Sequence, residues 1–286
     1  MKVLIAGCDG LLGQNLLQTR RGAGSALVGL ARHAEPALPD LLSAYHALDV
    51  AEPSTWEFVR REVRPDLIVN AAAWTDVDGC ERDPARCDRV NRDAVRLMAE
   101  TGVPVVQVST DYVFDGGAGP YSEEDPVHPV NVYGRAKLES ESFVLADPRG
   151  LVVRTLWLWG RGKGAKKSFT EFVRETLSAG KPVRAVTDQW GNPTSARDLA
   201  LAIWALVDAG RSGVYHAAGK EWMSRHDWAL KVAEFHGLDA SLVQPAASSD
   251  LRFDAARPLR SGLNGDKLAR DAGFRLRGLE EQLREP

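Results

Sequence analysis

A chain of 286 residues, 44% of them hydrophobic, can bury a substantial core in one large or two intimately joined domains. Its formal net charge of −3 supplies no overall basic field, which argues against nucleic acid or an anionic membrane as a partner and leaves only local basic sites open. No apolar run approaches the roughly 18 residues of a membrane span, and MKVLIAG turns glycine-rich before a signal-peptide core forms, so a cytoplasmic protein is expected. Three scattered cysteines, Cys8, Cys80 and Cys87, build no disulfide framework and, without a histidine cluster, no zinc signature; they read as packing or incidental surface residues.

In chain order, KVLIAG is a short aliphatic run of the buried parallel-strand type, and CDGLLGQNLLQTRR has helical apolar spacing. SALVGLAR follows as a strand, then PSTWEFVRREV as a helix with Ser54 and Glu57 spaced as a capping box, then PDLIVNAAA as a strand. NRDAVRLMAETG leads as a helix to the strand VPVVQVST, and NVYGRAKLESESFVL leads to GLVVRTLWLWG. This alternation predicts an α/β fold, a doubly wound parallel sheet covered by helices on both faces. After about Arg154 the rhythm loosens through the Gly/Lys loop GRGKGAKK, the helix SFTEFVRETLSAG, the strand KPVRAV, the helix SARDLALAIWALVDAG, the strand GVYHAAG and the helix of MSRHDWALKVAEFHG, which Ser224 and Asp227 open as a capping pair. A smaller C-terminal lobe that returns to the sheet is expected.

Gly7, Gly10 and Gly13 form G-x-x-G-x-x-G between the first strand and the first helix. There one glycine turns the chain, another admits a pyrophosphate to the backbone and a third allows close helix packing, so a dinucleotide is the expected ligand. The second strand ends in Ala31-Arg32-His33, with no carboxylate for a free ribose 2′-hydroxyl; Arg32 instead suits a 2′-phosphate, and NADPH is preferred over NADH, which stays open. Asp49 and Val50 are expected to border the adenine, and Asn70-Ala71-Ala72-Ala73 ends a strand in small side chains that leave room for the cofactor.

The fourth aliphatic strand runs into STDYVFDG, which places Thr110 and Asp111 at the same sheet edge. Tyr133 and Lys137 stand four apart at the start of a helix and so share one face. A phenol has an unperturbed pKa of about 10. A neighbouring ammonium lowers it, and Tyr133 is expected to hand a proton to a ketone oxygen steadied by Thr110 while hydride arrives at carbon. Lys137 is also expected to reach the nicotinamide ribose.

Together GCDGLLG, NAAAWTDVDGCE, STDYVFDG, NVYGRAKLESE, VVRTLWLWG, DQWGNPTSARDLA, GVYHAAG and ARPLRSGLNGDKL, spread in order over nearly the whole chain, resemble the dTDP-4-dehydrorhamnose reductase family of extended short-chain dehydrogenases/reductases. The resemblance implies a Rossmann-type fold and reduction of the 4-keto group of dTDP-6-deoxy-L-lyxo-4-hexulose to dTDP-L-rhamnose. It implies catalytic Thr110, Tyr133 and Lys137; a cofactor bordered by Gly10, Leu11, Leu12, Asp49, Val50 and Ala71 to Ala73; and a sugar touched by Thr110, Asp111 and Trp157. Residues 1–153 would form the NADP-binding unit, completed by about 187–216, with 154–286 mostly a substrate-binding lobe. The pattern departs at Gly79, where the family often has lysine, at Ser140-Glu141 and at Leu156, which leaves the exact sugar open; no metal is expected.

Arg161, Lys163, Lys166 and Lys167, or Arg257 and Arg260, are candidates for the substrate diphosphate, although a solvated basic loop is the plainer reading of the first four. Two other functions stay open. One is a non-catalytic regulatory subunit, since the β subunit of methionine adenosyltransferase resembles this family and binds NADP; the other is reduction or epimerisation of a different nucleotide sugar. Assembly as a homodimer is undecided by the sequence.

Overall fold

The computed structural model describes residues 1–284. Seven strands, β1 (Lys2–Ala6), β2 (Ala26–Ala31), β3 (Ala44–Ala47), β4 (Leu67–Asn70), β5 (Val105–Thr110), β6 (Leu151–Thr155) and β7 (Gly213–His216), form one parallel sheet in the order 3-2-1-4-5-6-7. Val3 of β1 pairs with Leu27 on one side and Leu67 on the other. The order reverses direction between β1 and β4, which opens a crevice at their carboxyl ends.

Both faces of the sheet are buried, so its inner strands are apolar throughout rather than alternating. Val3, Ile5, Val106 and Val153 face the helices Leu11–Thr19 and Ala196–Asp208 through Leu12, Leu16, Leu199, Ile203 and Trp204. Leu4, Ala6, Ile68 and Val152 face the opposite layer, where Trp56, Val59, Val95, Met98 and Val144 pack. Two details depart from the sequence reading. The half-exposed edge strand β3 has no aliphatic run to announce it. The helix Pro53–Phe58 is entered through Glu52 with Pro53 in its first turn and no side-chain cap, because proline presets the first helical φ and starts the helix ahead of Ser54.

Much of the remaining chain builds a smaller lobe, while Leu268 and Leu276 return to the core of the main sheet. Val183–Val186 pairs in parallel with Val243–Ala246, and the helices Phe169–Ser178 and Arg225–Phe235 pack around Trp159, Val173, Trp228 and Val232. Each helix opens with a formed capping box, Ser168 with Glu171 and Ser224 with Asp227. Among the described residues no helix is long and apolar enough to cross a membrane.

On β7, His216 is fully buried beside Phe114, and burial together with the Arg154 charge lowers its pKa to about 3. The native state therefore refuses a proton that the unfolded chain accepts below about pH 6.5. Stability falls as pH drops through the interval between the two values, by roughly 2 kcal/mol from about pH 7 to about pH 5 for this group. Urea titrations should show this slope flattened in His216→Gln; an unchanged slope would remove His216 as its source.

Candidate active site

The glycine turn divides its labour. Gly7 has φ +79°, and a Cβ there would meet Ala72 N at 2.7 Å, so only glycine makes this turn against β4. A Cβ on Gly13 would lie 2.2 Å from Gly7 O, which fixes how closely the helix Leu11–Thr19 approaches the strand. Gly10 is exposed and serves as N-cap without a side-chain hydrogen bond, and no acidic residue occupies the first turn. The helix thus turns uncapped amides and its positive dipole end toward the crevice, a donor set that fits a pyrophosphate.

Gly10, Leu11, Leu12 and Ala71 to Ala73 line a cleft of about 570 Å³ that continues to Thr110, Asp111, Tyr133, Lys137 and Trp157. Thr110 is the last residue of β5. Asn131 caps the helix Val132–Leu145 by accepting from Gly134 N at 2.8 Å, and Glu81 accepts from Val132 N at 3.1 Å. A Cβ on Gly134 would meet Tyr112 O at 2.2 Å, so the glycine lets this helix settle on the turn after β5. That contact brings Tyr133 and Lys137 beside Thr110. Below them Glu141 and Arg154 form a buried ion pair at 2.7 Å, with Ser109 Oγ donating to Glu141 at 2.5 Å.

Electrostatics here departs from the expectation that Lys137 lowers the Tyr133 phenol. Burial first, then the Asp111 charge and Tyr112, push Tyr133 above its ordinary value, with hydrogen bonding from Thr110 opposing them. Lys137 Nζ donates to Val108 O at 2.7 Å, and burial lowers its pKa to about 8 against the Glu141 and Cys87 charges. Both groups lie in the same low-dielectric wall, and desolvation is the largest influence on each. Burial also raises Asp111 to about 6, opposed by hydrogen bonds from Ser261 and Thr110 and by the Arg225 charge. The phenol stays protonated at neutral pH, the state a proton donor needs.

Other expected residues fall outside the cleft lining. Asp49 and Val50 follow β3, where Asp49 Oδ1 accepts from Ala51 N at 2.9 Å and Val50 is buried. Arg32 is exposed beyond β2 with no ion-pair partner among the described residues. Arg257 pairs with Asp78 at 2.7 Å, and Arg260 lies over the Trp190 and Trp222 rings; neither lines the cleft. Within the basic loop, Lys166 and Lys167 line the cleft, although Lys167 also pairs with Glu175 at 2.6 Å. Gln14 holds Lys163 by its backbone, donating to its carbonyl at 2.9 Å and accepting from its N–H at 2.8 Å. All three cysteines are buried free thiols.

Sequence reading missed Phe169, Arg225 and Trp228, which the small lobe brings into the same cleft. Their local signal was a helix start and an apolar stripe, which says nothing of what they face. Asp9 was missed too: it accepts from Ala37 N at 2.9 Å and from Tyr45 Oη at 3.2 Å, tying the glycine turn to the segment after β2 and to β3.

Known proteins resemble this chain over most of their length. The probable low-salt glycan biosynthesis reductase Agl14 of Haloferax volcanii is 35% identical over 99% of this chain and 96% of that protein. The dTDP-4-dehydrorhamnose reductase of Mycobacterium tuberculosis H37Rv is 35% identical over 94% of this chain and 86% of its own. The crystal structure of dTDP-4-dehydrorhamnose reductase from Bacillus anthracis in complex with NADP superposes with a TM-score of 0.85 at 27% identity, covering 99% of this chain and 96% of that one. A family model described as the RmlD substrate binding domain matches residues 1–286, and on these grounds the chain belongs to that reductase family.

Proposed function

We propose that the protein is an NADPH-dependent nucleotide-sugar 4-ketoreductase that converts dTDP-4-dehydro-L-rhamnose to dTDP-L-rhamnose. The observation that carries this reading is the meeting of Thr110, Tyr133 and Lys137 with an uncapped helix N-terminus in one cleft. The mycobacterial relative's name supports the sugar. Residues 1–153, completed by about 187–216, would hold the cofactor and most of 154–286 the sugar nucleotide.

Nicotinamide held along Gly10 to Leu12 and Ala71 to Ala73 would supply hydride for the C4 carbonyl carbon. Thr110 orients the carbonyl oxygen, and Tyr133 gives it the proton from Oη as negative charge develops there. Lys137 supplies positive charge behind the phenol and restores its proton from solvent. Ala71 to Ala73 admit the cofactor, and the aromatic wall of Trp157, Phe169 and Trp228 excludes water beside the reacting carbon.

The decisive assay follows the nicotinamide absorbance while purified protein meets NADPH and a panel of nucleotide 4-keto-sugars, with product identification. Stoichiometric NADPH oxidation with the rhamnose precursor is expected; no oxidation with any member sinks the reading, and isomerisation without net oxidation would make the protein an epimerase. Arg32 should favour NADPH through a bidentate contact to the 2′-phosphate. Arg32→Ala should lose roughly tenfold or more of the kcat/KM preference for NADPH over NADH. Equal use of both cofactors by the parent protein would discard that role.

A further inference from the structure

Arg225 opens the helix Arg225–Phe235, its backbone N–H donating to Gln189 O at 3.1 Å beside the Ser224–Asp227 capping box. Its guanidinium lies 4.2 Å from the Trp157 ring centroid, 5.3 Å from Phe169 and 5.8 Å from Trp228. Trp157 and Trp228 stack at 5.8 Å with planes 7° apart. Trp157 takes φ +44°, a left-handed backbone unusual for a large side chain, and a Cβ on Gly191 would come within 2.9 Å of its indole. The fold thus accepts local strain and a glycine contact to seat the indole beneath Arg225.

What the guanidinium lacks is a counter-ion. Several other partly buried arginines among the described residues have carboxylates: Arg20 with Asp208, Arg154 with Glu141, Arg257 with Asp78 and Arg277 with Asp198. Arg225 has no carboxylate within ion-pair distance among the described residues, and the oxygens of nearby Asp111 already accept from Thr110 and Ser261. A partly buried, unpaired cation is costly unless something anionic arrives. Ring stacking covers the faces of a guanidinium and leaves its N–H edges free for an oxyanion. Those edges belong to a residue lining the same cleft as Tyr133, Lys137 and Lys166.

We propose that Arg225 is a specificity-determining residue that receives an oxyanion of the substrate, either the diphosphate of the sugar nucleotide or the carboxylate of an acidic sugar. The inference rests on the ketoreductase reading for the identity of the cleft. Calorimetric titration of the full chain with dTDP, UDP-glucose, UDP-glucuronate and NADPH, for the parent, Arg225→Met and Arg225→Lys, tests it. With diphosphate recognition, dTDP Kd rises roughly 10- to 100-fold in Arg225→Met and partly recovers in Arg225→Lys, while NADPH Kd stays within about twofold. With carboxylate recognition, dTDP Kd holds and the parent's preference for UDP-glucuronate over UDP-glucose disappears in Arg225→Met. An unchanged dTDP Kd together with an unchanged UDP-glucuronate to UDP-glucose ratio overturns the proposal. Melting temperatures keep a folding defect separate, with Arg225→Lys as the stacking-competent control. The titrations need no turnover, so a protein that binds dTDP through Arg225 yet oxidises no NADPH would refute the ketoreductase reading and leave the oxyanion contact standing.

Discussion

Tyr133→Phe should lower kcat by about 10²- to 10⁴-fold while NADPH binding and melting temperature stay at parental values. The ring is buried in edge contact with Tyr112 at 5.7 Å, and phenylalanine preserves that packing while deleting the proton. Because Tyr133 is pushed above its ordinary pKa, the phenol stays protonated across neutral pH and should impose no alkaline loss there. Lys137, lowered to about 8, should impose one: the rate declines as its ammonium deprotonates. Stopped-flow rates across pH, with fluorescence titration of NADPH, measure both effects. Retention of parental kcat in Tyr133→Phe would end the proton-donor role.

Glu141→Gln should cost about 3–5 kcal/mol of stability, the range for stranding one partner of a buried ion pair. Its partner Arg154 has a 5% exposed side chain, and Glu141 3%, so water cannot replace the lost charge. Replacing both residues, as in Glu141→Leu with Arg154→Met, should recover most of the loss because no unpaired charge remains. Urea midpoints of the two single variants and the double close the cycle; a Glu141→Gln cost below about 1 kcal/mol would show that the pair contributes little. Glu141 also supports the Lys137 charge, so its loss should move the alkaline decline to lower pH.

The parallel strands were legible because burial on both faces writes them as aliphatic runs such as VLIA and LVVRT. β3 was not, since AYHA is a half-exposed edge with nothing to hide. Tyr133 and Lys137 were legible because helical spacing alone makes them neighbours. The direction in which the Tyr133 proton affinity moves was misread: it depends on depth, which buries the phenol beside Asp111 and Tyr112. Arg225, Phe169 and Trp228 were invisible as cleft residues for a related reason, because Thr110, Tyr133 and Lys137, which line the same cleft, come from a distant part of the chain.

The late origin of β7 bears on how the molecule is made. During synthesis β6 keeps a bare hydrogen-bonding edge until Gly213–His216 has left the ribosome, and Leu199, Ile203 and Trp204 reach their places over the glycine-turn helix only at that same late stage. The first half of the polypeptide therefore lacks part of its sheet edge and core until the second half arrives, and a nick between the halves should demand reassembly rather than leave an autonomous nucleotide-binding fragment.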